Sequence, residues 1–229
     1  MTMANAAAAQ LREINLLDRY PRSTRPIEER GKVVTEEARA VSRRFGREFF
    51  DGDRLFGYGG YRYHPRFWTE TVRRFQEHYQ LAPDASLLDV GCAKGFMLYD
   101  FKRLMPELTI AGIDISSYAV GQAPDAVRPF LRVGDAKALP YPDRRFDLVI
   151  SINTVHNLPL EECKQAIREL QRVSRRHAFL TVDAWRTDEE RRRMEQWNVT
   201  ALTYMHVGDW KRVFADIGYT GDYYWFFPE

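Results

Sequence analysis

The sequence predicts an α/β fold: a doubly wound, mostly parallel sheet with helices on both faces, preceded by an N-terminal helical extension. From residue 86 onward, short apolar runs alternate with helix-patterned stretches. The first run ends in a turn bracketed by Gly91 and Gly95 that opens a helix. No internal repeat interrupts this order. Strands spaced by helices imply right-handed crossovers and parallel pairing. A chain of 229 residues has room for one such domain plus an extension, and its core buries roughly 70% of the unfolded surface without staples.

In chain order, residues 1–80 read as an N-terminal extension with a helical lid, and residues 81–229 as the main domain. Residues 1–35 are expected to be loosely ordered, because "YPRSTRPIEERGK" carries two prolines and dense charge and offers little to bury. Thr35 then stands as N-cap of a helix whose apolar stripe is Ala38, Val41, Phe45 and Phe49. A Gly/Tyr loop, "FGYGGYRYHP", leads to a second helix from about residue 67 to 79. The apolar runs are "LLDV" (87–90), "TIAGI" (109–113), "PFLRV" (129–133), "FDLVIS" (146–151) and "AFLTV" (178–182). Helices are expected near 96–104, 117–122 and 161–174. "GDWKRVFADIGY" follows as a helix with Asp209 at its N-cap and Gly218 past its end, and "DYYWFF" as a closing strand.

Composition removes several classes. The two cysteines, Cys92 and Cys163, lie far apart and form no metal-ligand pattern, which suits a reducing cytoplasm and predicts no metal site. "MTMANAAAAQLREINLL" lacks a basic segment ahead of a long apolar one, so no leader peptide is read there. No apolar run approaches the ~18 residues that span a bilayer. With a formal net charge of +2, the long-range field is weak and calls for no polyanionic partner. The arginine clusters Arg43–Arg44, Arg175–Arg176 and Arg191–Arg193 read as solvated faces.

The densest signal is "LLDVGCAKGF", residues 87–96. Glycines after a buried strand let a ligand approach the backbone, and the following helix offers free N–H groups. Open α/β sheets bind ligands at the carboxyl ends of their strands. A dinucleotide fingerprint would need G-x-G-x-x-G. Ala93 and Phe96 hold the second and third glycine positions, which disfavours a nicotinamide cofactor.

"LLDVGCAKG", "IAGIDIS", "VGDAKALPYPDRRFDLVIS" and "IRELQRVSR" stand in an order that resembles the class I S-adenosylmethionine-dependent methyltransferases over about residues 80–220. The resemblance implies a Rossmann-like, seven-stranded sheet whose last strand is antiparallel, and S-adenosylmethionine as cofactor. It implies that Gly91, Cys92, Ala93 and Gly95 line the methionine end of the cofactor. Asp89 would orient that loop or meet the amino group. Asp114, with Ile115 beside it, would accept from the ribose hydroxyls, Asp135 with Ala136 would contact the adenine, and Ser151 and Ile152 would lie under the cofactor. Where the family commonly has Gly, this chain has Ala93.

The sulfonium is already electrophilic, so in-line positioning supplies much of the acceleration, roughly 7–11 kcal/mol. A base is needed only where the nucleophile must lose a proton. His156 in "SINTVHNL" is the candidate base, weighed against a packing role. Tyr58, Tyr61, Arg62 and Tyr63, then Trp185 and His206, are candidate acceptor-binding residues, weighed against plain packing. Asp183 and Arg186 also fall at this edge. These groups suit a small hydroxylated acceptor such as a sugar, a sugar nucleotide or a natural-product intermediate. Two alternatives stand beside this reading: an RNA or other nucleic-acid methyltransferase, disfavoured by the proline-free "SINTVH" and the balanced charge, and a non-catalytic cofactor-binding regulatory subunit. A homo-oligomer is left open.

Overall fold

A computed structural model describes residues 11–22, 24–59 and 61–228. The first ten residues, on which the leader reading partly rests, lie outside them. In chain order the elements are β1 (Arg12–Glu13), α1 (Ile27–Val33), α2 (Glu36–Ser42), α3 (Arg47–Asp51) and α4 (Pro65–Tyr79). Then come β2 (Ser86–Val90), α5 (Phe96–Leu104), β3 (Thr109–Asp114), α6 (Ser117–Gly121), β4 (Leu131–Val133) and β5 (Phe146–Ile152). The chain closes with α7 (Leu160–Val173), β6 (Ser174–Trp185), α8 (Asp188–Trp197), β7 (Met205–His206), α9 (Val207–Asp216) and β8 (Asp222–Phe226).

The sheet runs β1-β8-β6-β5-β2-β3-β4, with β7 pairing the end of β6. Every residue of β2 is buried, as a strand covered on both faces must be. One core layer joins Leu88, Val90 and Leu180 to α7 and α9 through Ile167, Leu170, Trp210 and Phe214. The other joins Leu87, Ile150 and Phe179 to α4 and α5 through Val72, Phe75, Leu98 and Phe101. Each such large side chain, fully buried, contributes roughly 1.5–3 kcal/mol. Residues before 80 build part of this second layer, since Leu16, Val72, Phe75 and Tyr79 belong to it.

The last strand departs from the expectation. β8 runs parallel to β6, pairing Phe179 with Asp222 and Asp183 with Phe226. An antiparallel neighbour would need a hairpin-type return; here α8 and α9 carry the chain back across the sheet, so β8 enters in the direction of β6. Beyond it, β1 adds a further parallel strand, held by two hydrogen bonds of 2.8 and 2.9 Å from Arg12 to the buried Asp222 carboxylate.

The N-terminal segment is also more ordered than its composition suggests. Leu16 is fully buried, and α1 lies along α8. The expected single helix over residues 36–49 is two short ones, α2 and α3, because Phe45 adopts φ 48° and Gly46 follows as the next N-cap. Thr35 does cap α2, its side chain accepting from the Ala38 N–H. The strand expected over 129–133 is shortened to 131–133, since residues 128–130 form a 3-10 turn on Pro129. At α9 the N-cap is His206, whose ring accepts from the Gly208 N–H, while Asp209 lies in the first turn.

Candidate active site

The carboxyl ends of four adjacent strands build the site. Period-two alternation decides which residues share a face. Asp114 follows Ile110, Asp89 follows Leu87, Ile152 follows Ile150, and Asp183 follows Phe179, all of which contact the layer formed with α4 and α5. Along β3, β2, β5 and β6 the row on this face is therefore Asp114, Asp89, Ile152 and Asp183.

Three residues of the β2–α5 turn have positive φ: Gly91 (84°), Ala93 (50°) and Gly95 (69°). Gly91 is required for two reasons. Its φ suits glycine, and a Cβ there would stand 2.0 Å from Thr154 Oγ1. The Asp114 carboxylate organises the turn: Oδ2 accepts from the Ala93 N–H at 2.8 Å and Oδ1 from the Ser116 N–H at 2.8 Å. Ala93 thus occupies a left-handed position where a Cβ costs roughly 1–2 kcal/mol.

Asp89 is 6% exposed, and its carboxylate accepts no hydrogen bond among the described residues. Burial, reinforced by the neighbouring Asp114, pushes its carboxyl up to about 7. Burial also raises Asp114, against the two backbone N–H groups that lower it. Cys92 is buried beside this pair, its thiol raised by burial. Ser151 is fully buried and its Oγ has no partner among the described residues. Ile115 and Val133 leave apolar surface exposed just past β3 and at the end of β4. Asp135 and Ala136 follow β4, with Asp135 Oδ1 accepting from the Lys137 N–H at 2.9 Å.

The extension closes on this edge. Lys94, in the glycine turn, is 4% exposed. Its Nζ donates to Asp51 Oδ1 at 2.5 Å and to the Tyr61 carbonyl at 2.9 Å. Tyr118 donates to Asp51 Oδ2 at 2.7 Å, and Ser116 Oγ to the Phe45 carbonyl at 2.5 Å. Asp51 therefore ties α3 to the loop after β2 and to α6. Neither Asp51 nor Lys94 carries a motif signal; an amine within a glycine-rich turn was the available hint. Removing both links by Asp51→Ala is expected to raise hydrogen exchange in residues 45–63 while exchange in β2 and β5 stays slow; unchanged exchange there would mean that apolar packing holds α3.

The candidate acceptor residues divide. Tyr58 OH accepts from the Val199 N–H at 3.0 Å, so it joins the loop to the segment after α8. Tyr63 donates to the buried Asp100 at 2.7 Å and anchors the loop on α5. The Tyr61 hydroxyl is buried with no partner among the described residues. Arg62 is exposed to solvent at the loop surface, and Gly60 lies outside the described residues. β6 extends through Trp185, whose ring meets Tyr204 at 5.7 Å, and Arg186 pairs with Glu190. His206 is exposed and used as the α9 cap. Arg39 and Arg30 from the extension donate to the Asn198 carbonyl at 2.5 Å and the Trp197 carbonyl at 3.1 Å, satisfying the carbonyl end of α8. Of the α8 arginines, Arg191 and Arg192 are solvated and pair with Glu195 and Glu189, while half-buried Arg193 donates to the Pro228 carbonyl.

His156 is 3% exposed, and its Nδ1 accepts the Asp183 N–H at 2.8 Å. That bond places the ring proton on Nε2. Burial drives the imidazole down to about 3. A ring already neutral, with its lone pair engaged by a backbone amide, is a poor proton acceptor near neutral pH. The geometry argues against the base role and for packing.

Residues 88–182 match the family described as "Methyltransferase domain". Over those residues the chain is similar to methyltransferase domains. Among similar curated proteins, demethylmenaquinone methyltransferase of Symbiobacterium thermophilum is 33% identical over 35% of this chain and 35% of its own. The 27-O-demethylrifamycin SV methyltransferase of Amycolatopsis mediterranei is 32% identical over 39% of this chain and 34% of its own. The chain thus spans about a third of the length of these relatives. Among solved structures, the YcgJ protein of Bacillus subtilis superposes with a TM-score of 0.51 at 17% identity, covering 64% of this chain and 66% of that one, a likeness of fold. The methyltransferase match ends within β6, so the extension, α8 and α9 lie outside it.

Proposed function

We propose that this chain binds S-adenosylmethionine at the ends of β2 and β3 and transfers its methyl group to a small hydroxylated molecule. The carrying observation is the pair of buried carboxylates, Asp89 and Asp114, at adjacent strand ends. Asp89 has no cation of the protein beside it among the described residues. A ligand bearing a sulfonium and an ammonium suits that deficit of positive charge. Bound S-adenosylmethionine supplies an activated methyl group. Asp114 would hold the ribose hydroxyls, Ile115 and Val133 would flank the base with Asp135 and Ala136, and Gly91 to Gly95 would bring backbone close to the methionine end.

The chain's own contribution is positioning and exclusion of water. Asp51, Lys94 and Tyr118 fix α3 over the cofactor loops, and Tyr58 fixes the following loop to Val199. A closed, dry site strengthens its electrostatic contacts. The relatives' names refer to a quinone and a rifamycin, in keeping with a small acceptor. No helix among the described residues is long and apolar enough to cross a membrane. The free, buried Cys92 and Cys163 suit a reducing, cytoplasmic setting.

Calorimetry tests the cofactor reading through pH. Because its folded carboxyl sits at about 7, above the unfolded range near 4, Asp89 contributes stability that falls as pH rises from about 4 to 7. A cationic ligand favours the ionised form. S-adenosylmethionine affinity is therefore expected to tighten by up to about tenfold per pH unit below 7 and to level off above it. Asp89→Asn should flatten that profile. A wild-type affinity independent of pH would detach Asp89 from the ligand, and no binding at any pH would overturn the reading.

A further inference from the structure

Asp183 is the one member of the row of strand-end residues that the cofactor reading leaves unused. It lies on the same sheet face as Asp89 and Ile152, at the end of β6, where Ile152 pairs with Thr181. Its backbone is pinned from both sides: the N–H donates to His156 Nδ1 at 2.8 Å, and the carbonyl accepts from the Trp210 indole at 2.9 Å. The carboxylate itself accepts no hydrogen bond among the described residues, although Asp183 is 5% exposed. A buried acid kept without a partner is costly to the fold. Rigid backbone anchoring around a free functional group is the arrangement a reactive site requires.

We propose that Asp183 is the general base of the methyl transfer, taking the proton from an acceptor hydroxyl bound between β6 and Tyr58. The inference rests on the methyl-transfer reading above. In the step, the hydroxyl proton passes to an Asp183 carboxylate oxygen while the acceptor oxygen forms its bond to the methyl carbon. The carbon–sulfur bond breaks, and its electron pair stays on sulfur, turning the sulfonium into a neutral thioether.

The surroundings fit this task. His156, from the turn after β5, is the one ionisable group within ion-pair range among the described residues, at 3.7 Å, and it is neutral. From the loop, the Tyr58 phenol feels the Asp183 charge and is itself raised by burial. From α9, Trp210 presents an indole, which does not titrate. No cation therefore lowers Asp183, and burial pushes it up to about 7. An acid poised there is well matched to proton transfer near neutrality.

The test compares wild type with Asp183→Asn and His156→Gln, using S-adenosylmethionine and a panel of phenols and sugars, with S-adenosylhomocysteine release as the readout. Asp183→Asn is expected to lower kcat by about 10²–10⁴-fold, with S-adenosylhomocysteine affinity unchanged. At saturating S-adenosylmethionine, where the Asp89 dependence of binding no longer limits the rate, the wild-type kcat should fall as pH drops below about 7. That limb should vanish in Asp183→Asn and persist in His156→Gln. Asp183→Asn should also melt higher than wild type at pH 8 and no higher at pH 4, because it removes an unpaired buried charge; a structural carboxylate would give the opposite. Should the Asn variant fail to fold, or melt lower at pH 8, the proposal is overturned. Retained kcat, or an acidic limb that disappears in His156→Gln, overturns it equally. A wild type that binds S-adenosylhomocysteine but methylates no hydroxyl in the panel removes the base and leaves the cofactor reading standing. Loss of binding in the wild type itself would remove both.

Discussion

Gly91→Val is expected to abolish binding of S-adenosylmethionine and S-adenosylhomocysteine and to lower the melting temperature sharply. Two separate costs combine. At φ 84° a branched side chain is strained by roughly 1–2 kcal/mol. Its Cβ would also stand 2.0 Å from Thr154 Oγ1 and 2.3 Å from Thr154 Cγ2. Relieving such overlap typically costs another 1–3 kcal/mol. The β2–α5 turn and the loop after β5 must then separate, and these are the two loops that would frame the cofactor. The double variant Gly91→Ala with Thr154→Gly divides the terms. It removes the overlap and keeps the strained φ, so it should recover part of the stability and some binding. Full activity of Gly91→Val would mean that the turn does not cradle the ligand.

Asp114→Ala should have the second largest effect. Its carboxylate holds the Ala93 and Ser116 N–H groups, and each left unpaired in a buried setting costs roughly 1–3 kcal/mol. The loops after β2 and β3 lose their common acceptor. In the proposed complex the same group takes charge-assisted bonds from two ribose hydroxyls, worth roughly 1.5–3 kcal/mol each. S-adenosylhomocysteine affinity is expected to fall by one to several orders of magnitude, and the melting temperature with it. Asp114→Asn keeps one acceptor oxygen and should lose less of both. Affinity unchanged in folded Asp114→Ala, measured by calorimetry, would take Asp114 out of the site.

Strand-to-turn chemistry made the main domain legible. "LLDVG" and "TIAGID" have one polar residue each near the strand end, and both acids stand at the edge where a parallel sheet binds ligands. α5 matches its expected bounds because Gly95 and the apolar spacing from Phe96 mark its start. What composition concealed was long-range. Arg12 looks solvated in sequence, yet its partner Asp222 is 210 residues away. Arg30 and Arg39 carry no sequence signal for their partners, carbonyls at the end of a helix more than 150 residues further on. The break between α2 and α3 was hidden because Phe45 continues the apolar stripe while adopting a left-handed φ. His156 was suggested by its position after a strand, and only packing reveals that its lone pair faces an amide. Asp183 drew notice from its place at the sheet edge, but sequence cannot show that its carboxylate goes without a partner.

The pairing of β1 with β8 bears on how the molecule assembles. Strand 12–13 must wait for strand 222–223, so the 210 residues that separate Arg12 from Asp222 are made before this pairing can form. Closing so long a loop carries an entropic cost that grows only slowly with length, but the encounter itself is intrinsically slow. Until then Leu16, fully buried in the finished fold, has no complete site to enter, and the edge of β8 has no neighbour. During synthesis the segment around Leu16 therefore docks only after strand 222–223, far later in the sequence, has been made.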